Sequence, residues 1–425
     1  MGPSNNSFIH AYMAEINLGM NGVECDRSRI LEGIEVIKKA VDGGVYSPGA
    51  MLYCVANGWL ALNKYERAVK AYRLALGVLI EAGLTEVVAQ CYKNLGSTMN
   101  KLNKPHKARY FYKRALEYDA ELAEAHFALA LWNRRNGDFK TALSYLEEII
   151  WPQGSAGTSA NVSGWRAECL FELGKIKEAI REIISLLSMA DKPDWVWPWC
   201  AKLVAKYGNV SQDASEFSIR FWDRYLKQNA GDTRAQIQRL LSVWYLYSNF
   251  DKAIWSYQEF KQNVVDITND GISNPEFLWH LVGLWAQKEE NWTEAEEWYR
   301  KAYDHFPEEY GYYLGTALNQ IGRYEEALQI LLSQAEKYYP DELSWFQVAI
   351  AMGGVGNTEG CIDAYERVLK LDETYAKAWF NLGGIYWNSG QMVKAKKVWA
   401  EAIRRFPEHE LTERLKNDLP GVFGP

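Results

Sequence analysis

Near the C-terminal end, large apolar side chains recur at three and four residues: Trp379, Leu382 and Tyr386. That spacing places them on one face of a helix. After Gly390, a second stripe of Ala395, Trp399 and Ala402 has the same period, and Pro407 follows it. The spacing predicts two antiparallel helices. Gly390 would make the turn, where a positive φ costs glycine little, and Pro407 would stop the second helix. Gly383, inside the first stripe, has no Cβ to hold the second helix away.

The alanine that opens the second stripe serves as a register mark along the chain. It recurs as Ala395, Cys361, Ala327, Ala295, Ala253, Ala214, Ala179, Ala142, Ala108 and Ala68, with Gly33 as a first member. The steps 361 to 395, 327 to 361 and 108 to 142 are each 34 residues. Self-similarity at this period means an array, so domain count cannot be taken from length. Three segments break the pattern and are expected to be long connections: 17–28, 151–164, read as a mobile loop, and 261–276. Hairpins at about 8–41 and 194–227 are degenerate. WVWPWC (195–200) is either an exposed contact cluster or hairpin core, and Pro198 within it marks a helix start or kink.

The unit AKAWFNLGGIYWNSGQMVKAKKVWAEAIRRFP resembles the tetratricopeptide pattern W-x2-L-G-x2-Y…A-x3-F…P. Weaker copies cover nearly the whole chain. The resemblance implies an all-α, right-handed superhelical solenoid of about ten or eleven hairpins, with 409–419 as a capping helix. The expected divisions are a degenerate N-terminal hairpin (1–48), a first block (49–150), a loop with divergent hairpins (151–233), a second block (234–407), and a cap and tail (408–425). It also implies a concave groove lined by the first helix of each hairpin. The inner positions read off that pattern are Tyr53, Asn57, Lys93, Ser97, Asn100, Phe127, Arg134, Trp165, Gln238, His280, Tyr312, Phe346, Phe380 and Trp387. The aromatic ones form a ribbon suited to peptide side chains or sugar rings.

Two ligand codes of the family fail here. A clamp for a terminal carboxylate needs a basic residue where Tyr53 stands beside Asn57, and basic residues where Glu124 and Ala128 stand. Lys377 and Asn381 have its spacing without suitable partners. An asparagine ladder would have only Asn94 and Asn381, and Asn94 is kept among the expected partner-binding residues of the inner wall.

Charge is uneven. The formal net charge is −7, which disfavours nucleic acid as a partner. Yet residues 89–122 carry seven Lys or Arg (Lys93, Lys101, Lys104, Lys107, Arg109, Lys113, Arg114) against three acids. Residues 276–309 carry nine acids, among them Glu289, Glu290, Glu294, Glu296 and Glu297, against three bases. These are either solvated faces or surfaces that steer a partner or another copy. The basic stretch suits an acidic segment of a partner.

Catalytic chemistry finds no foothold. The six cysteines and six histidines are dispersed, with no CxxC, HExxH, GxSxG or GxxxxGK[ST]. Gly354, Gly356 and Gly360 straddle a hairpin turn. No cofactor, metal or enzymatic activity is expected. No run of 18 apolar residues suggests a membrane span. MGPSNNSFIHAY lacks the charged and apolar regions of a signal peptide, and free cysteines suit a reducing compartment, so a cytoplasmic location is expected. The expected function is a protein–protein interaction scaffold that holds a partner peptide or domain in the groove. Glycan or small-ligand binding on the aromatic ribbon, and self-assembly, are the alternatives.

Overall fold

The computed structural model describes residues 11–14, 16, 26–44, 48–149, 156–190 and 192–419. Among them there is no strand. The helices are α1 (Arg27–Asp42), α2 (Pro48–Ala61), α3 (Tyr65–Glu81), α4 (Thr85–Lys101), α5 (Pro105–Tyr118), α6 (Ala123–Arg135), α7 (Phe139–Glu147), α8 (Ala156–Glu172), α9 (Ile176–Ser188), α10 (Val196–Tyr207) and α11 (Gln212–Leu226). They continue as α12 (Thr233–Phe250), α13 (Tyr257–Asn269), α14 (Glu276–Lys288), α15 (Trp292–His305), α16 (Pro307–Gln320), α17 (Tyr324–Ser333), α18 (Glu342–Gly354), α19 (Thr358–Leu371), α20 (Ala376–Asn388), α21 (Met392–Arg405) and α22 (Glu410–Asp418). The chain forms two units, Met1–Ser218 and Ile219–Pro425. Within each, most consecutive helices pair as hairpins that pack on the next.

One local rule builds most of these hairpins. In eight turns a single residue takes the left-handed conformation: Asn63, Asn103, Gly137, Gly174, Glu290, Gly322, Gly356 and Gly390, with φ from 56° to 81°. The residue after it donates its N–H back to a carbonyl five residues earlier, at 2.8–3.0 Å, as Gln391 does to Tyr386. This closes the end of the first helix and aims the chain into the second. Seven of the eight are Gly or Asn, the residues that reach this region cheaply. Glu290 is the exception. Glu290→Gly is therefore expected to raise the unfolding free energy by about 0.5–1 kcal/mol, measured by urea denaturation.

The register mark falls four residues after each second-helix N-cap. Ala68, Ala108, Ala142, Ala179, Ala295, Ala327, Cys361 and Ala395 follow caps at 64, 104, 138, 175, 291, 323, 357 and 391, and each is at most 1% exposed. Ala253 does not belong to the series. It lies exposed in the connection before α13, and Phe260, four residues after Ser256, takes the buried place at 0% exposure. Ser256 and Glu259 form a reciprocal capping box that starts the helix there. Leu246 and Tyr247 bury the end of a long α12, so the turn comes late.

Glycines set the spacing between paired helices. A Cβ on Gly96, Gly283, Gly315 or Gly383 would stand 2.9, 2.4, 2.4 or 2.3 Å from Tyr112, Tyr299, Leu331 or Trp399 respectively. In each case the partner lies 16 residues on, as 399 − 383. The expected close approach at Gly383 is thus a repeated device. Gly33 is also buried, with the Tyr12 ring 3.0 Å from where its Cβ would stand.

Two expected loops are mostly helix. Residues 156–164 of the Gly/Ser/Ala-rich stretch open α8, where Ala160 and Val162 are buried and Gly164 admits the Trp199 ring. Residues 261–269 finish α13, with Val264 and Ile267 in the core, which leaves only a short connection through Gly271. Composition alone misread both, because apolar spacing outweighs small or polar neighbours once a face is buried. Positions 17–25 and 151–155 lie outside the described residues. Pro198 sits in the first turn of α10, where its missing N–H costs no bond. The tryptophans around it are half-buried, and Trp199 packs edge-on against Trp165 at 4.5 Å. At the C-terminal end Leu411 and Leu415 of α22, and Leu419 after it, pack against the second unit's core.

Candidate functional site

The residues expected on the inner wall have separate fates. Asn57 and Asn94 are buried, and they join Tyr53 and Tyr72 in an internal network. The Tyr72 hydroxyl donates to Asn57 Oδ1 at 2.7 Å, and Asn94 Nδ2 donates to the Tyr53 hydroxyl at 2.9 Å and to Asn57 Oδ1 at 3.2 Å. Phe346 and Phe380, 8% and 7% exposed, serve packing instead of surface. Phe346 lies against Tyr365 and Tyr375, and Phe380 stacks on His409. Side chains of the same hairpin's second helix (Tyr72, Tyr365), of the hairpin before (Tyr53) and of the segments beyond (Tyr375, His409) cover Asn57, Asn94, Phe346 and Phe380. Arg134 lies over Trp165 at 4.0 Å and makes a two-pronged contact with Glu168, at 3.0 and 2.7 Å. Lys93 stands 4.0 Å from Glu124. Ser97 and Gln238 are half-buried, and Trp387 packs on Trp399 at 5.6 Å.

Tyr53 borders one opening with Glu86, Tyr118 and Asp119, and two other openings carry walls of three or more Phe, Tyr or Trp rings. The first of these two, in the first unit, is a groove of about 430 Å³ between α5 and α6. Phe127, Ala128, Leu131, Trp132 and Tyr112 give it apolar walls, with Asn100, His106, Arg109 and Arg135 among them. The Arg109 guanidinium lies 4.2 Å from the Trp132 ring centre, and the His106 ring meets that tryptophan edge-on at 6.1 Å. Arg109 Nε is enclosed and has no hydrogen-bond partner. Asn100 Nδ2 donates to the Tyr112 hydroxyl at 3.3 Å. Burial pushes that phenol up to about 12, so it stays protonated. Among the described residues, Arg109, Arg135, Lys101, Lys104 and Lys107 make no ion pair. Of the expected basic stretch, Lys93 pairs with Glu124 and Arg114 with Glu117, while Lys101, Lys104, Lys107 and Arg109 are left unpaired among the described residues. Of the expected wall residues, only Asn100 and Phe127 come together here. Arg109 was expected only as part of the basic stretch, and His106 not at all, because α5 is a second helix; Trp132 lies off the positions read as inner.

The second place, in the second unit, is a cradle of about 520 Å³ lined by Phe277, His280, Glu309, Tyr310, Tyr312, Tyr313, Tyr339, Asp341, Leu343 and Ser344. The starts of α14, α16 and α18 meet there. Pro307 opens α16 and places Glu309, Tyr310, Tyr312 and Tyr313 within its first two turns. After α17 the chain continues into one π-helical turn, Gln334–Tyr338, held by Gln334 Nε2 donating to the Pro307 carbonyl at 2.8 Å. This turn leads into Tyr339 and into Asp341, whose carboxylate caps α18 by accepting from Ser344 N at 2.8 Å. His280 lies among rings, with centroids 4.2 Å from Tyr313, 5.2 Å from Tyr310 and 5.5 Å from Tyr299. Burial pushes it down to about 4. Its Nδ1 is enclosed without a partner. Burial, with Glu309 and Glu276 beyond it, pushes the Tyr310 phenol up to about 12. The structure thus brings together His280 and Tyr312 of the expected wall. The adjacent tyrosines 310, 312 and 313 were a visible signal, but Tyr339 and Asp341 arrive from a connection that no helical period reaches.

The acidic run of 276–309 is less free than its composition suggests. Glu294 meets Lys261 at 2.7 Å, and Glu296 pairs with Arg300 and with Arg323 at 3.3 Å. Glu289 accepts from the Tyr247 hydroxyl at 2.7 Å. No group of three or more His, Cys, Asp or Glu among the described residues is placed to hold a metal ion. The described cysteines are buried, which pushes Cys54 and Cys361 up to about 11. No helix among the described residues is long and apolar enough to cross a membrane.

Family models described as tetratricopeptide repeat match residues 94–193, 283–342 and 376–409. The middle of these covers most of the cradle, and the first covers the groove. A tetratricopeptide-repeat-containing protein of Methanocaldococcus jannaschii, MJ1428, is 25% identical over 124 residues, 29% of this chain. The chain spans about a fifth (21%) of that protein's length. Among solved structures, MamA from Desulfovibrio magneticus RS-1 is 16% identical with a TM-score of 0.38, over 42% of this chain and 98% of that one. YrrB, described as a tetratricopeptide-repeat protein with an unusual peptide-binding site, is 20% identical with a TM-score of 0.39, over 46% and 97%. The Cut9–Hcn1 complex of the APC/C is 14% identical with a TM-score of 0.36, over 99% and 92%.

Proposed function

We propose that this chain, with tetratricopeptide-repeat matches over residues 94–193, 283–342 and 376–409, is a protein-interaction scaffold whose first unit receives an acidic segment of a partner protein in the groove between α5 and α6. The observation that carries this reading is Arg109. Its guanidinium lies over the Trp132 ring, makes no ion pair, and keeps an enclosed Nε without an acceptor. A guanidinium fixed in this way has already lost most of its rotamer freedom, so a carboxylate that meets it incurs less ordering cost. Phe127, Leu131 and Trp132 offer the apolar contact that turns a charged encounter into a defined pose. Arg135 and the unpaired lysines 101, 104 and 107 speed the approach of an acidic chain. An adaptor of this kind needs no chemistry at its surface, which agrees with the dispersed cysteines and histidines of the sequence.

The test uses a fluorescein-labelled heptapeptide of aspartate and glutamate around one leucine, followed by anisotropy. Arg109→Gln is expected to weaken binding about tenfold, and Trp132→Ala by a similar factor, as loss of a central aromatic or arginine contact does. Lys113→Gln, an exposed and unpaired lysine of the same helix, serves as the control for diffuse charge. Equal losses from Lys113→Gln and Arg109→Gln would sink the groove reading and leave only general attraction.

A further inference from the structure

The cradle in the second unit differs from the groove in the sign of its charge. Its lining holds five aromatic rings from Phe277, Tyr310, Tyr312, Tyr313 and Tyr339, and two carboxylates, Glu309 and Asp341. It contains no lysine or arginine. Among the described residues neither Glu309 nor Asp341 makes an ion pair. Asp341 is engaged only by the backbone N–H of Ser344 at 2.8 Å, and a cap still accepts further donors. Phe277 and Tyr339 are 45% and 47% exposed, so ring faces are open to a ligand.

We propose that this cradle is a cation-acceptor site that takes an arginine or lysine side chain of a partner segment. Ring faces carry negative potential and attract a cation set over them, more strongly when water is partly excluded. Carboxylates supply the directional hydrogen bonds that the rings cannot. A neutral guest of the same shape would gain the rings but leave both carboxylates unmet. An acidic guest would meet Glu309 and Asp341 at close range and be repelled. His280, neutral above about pH 4, adds no competing positive charge. The scaffold would then hold two segments of opposite charge, one in each unit, each by its own site.

The experiment measures anisotropy of a fluorescein-labelled Gly-Ser-Arg-Gly-Arg-Ser-Gly peptide against the same peptide with citrulline for both arginines. The full chain is used. Citrulline keeps the shape and removes the charge, and is expected to bind at least about tenfold more weakly. Tyr339→Ala and Phe277→Ala, both exposed and so compatible with the fold, are each expected to weaken the arginine peptide about threefold to tenfold. Glu309→Gln with Asp341→Asn, which keeps the helix cap, should weaken it and flatten its salt dependence. Glu297→Gln, an exposed acid outside the cradle, should leave affinity unchanged, as should Arg109→Gln in the groove. Equal binding of the citrulline peptide would overturn the proposal, and so would an equal loss from Glu297→Gln. Failure of the acidic heptapeptide in the groove would leave this result untouched.

Discussion

Gly383→Ala is expected to lower the unfolding free energy by about 1–3 kcal/mol, while Gly384→Ala, one residue on, raises it by about 0.5–1 kcal/mol. The two glycines share a helix, α20, and differ only in what faces them. A Cβ on Gly383 would stand 2.3 Å from the Trp399 ring, which is 5% exposed and donates through Nε1 to the Phe380 carbonyl at 3.0 Å. That ring cannot retreat without breaking a buried hydrogen bond or opening the hairpin. A Cβ on Gly384 would meet nothing within 4 Å. Alanine there gains helix propensity without a clash. Urea denaturation of the two variants checks the pair. Equal signs would mean that the interhelix distance is not set by contact with Trp399. Trp399→Leu in the Gly383→Ala background should restore part of the loss, since additivity fails for residues in contact.

Acidification gives the second large effect. His280 is neutral in the folded chain down to about pH 4, whereas an unfolded histidine takes a proton near 6.5. Its folded value is the lower one, so the unfolded chain binds the extra proton first. This histidine therefore costs no stability above about pH 6.5, and stability falls as pH drops from there toward 4. The loss approaches roughly 3 kcal/mol from this residue. The rings of Tyr299, Tyr310 and Tyr313 face it, and Tyr310 also senses Glu309 and Glu276. Burial raises the phenols of Tyr299 and Tyr310, so those two stay protonated throughout the window and do not offset the effect. Carboxylates held by ion pairs, such as Glu294 on Lys261, add their own loss below pH 5. The comparison that isolates the histidine is His280→Phe, whose stability should change much less between pH 7 and 5. A histidine resonance that titrates near 6.5 at this position would refute the assignment. The same neutrality predicts that affinity of the cradle for the arginine peptide is flat between pH 6 and 8.

The hairpins were legible in the sequence because their cause is local. Trp379, Leu382 and Tyr386 share a face by helical geometry alone, and Gly390 supplies the positive φ its turn needs. Where that local signal was diluted, the reading failed. Ala253 fits the series only with a lengthened step, and the Ser256 capping box starts its helix later, so Phe260 holds the position. The small and polar residues of 156–164 and 261–269 resemble loops until Val162, Val264 and Ile267 find a core to enter.

The binding surfaces divided along the same line. The resemblance to the tetratricopeptide pattern marked Asn100, Phe127, His280 and Tyr312 as inner positions, and these four line the groove and the cradle. It gave equal weight to Asn57, Asn94, Phe346 and Phe380, which packing within and between hairpins buries. Arg109 comes from a second helix, and Tyr339 and Asp341 from a connection shaped by a π-helical turn. What the sequence determined by itself is the repeating helix pair, since propensity, turn chemistry and apolar spacing all act within about 34 residues. Which side chains stay exposed, and which charges are left unpaired, was decided only by stacking one hairpin on the next. Exposure and pairing belong to contacts between units of the repeat, and no single unit encodes them.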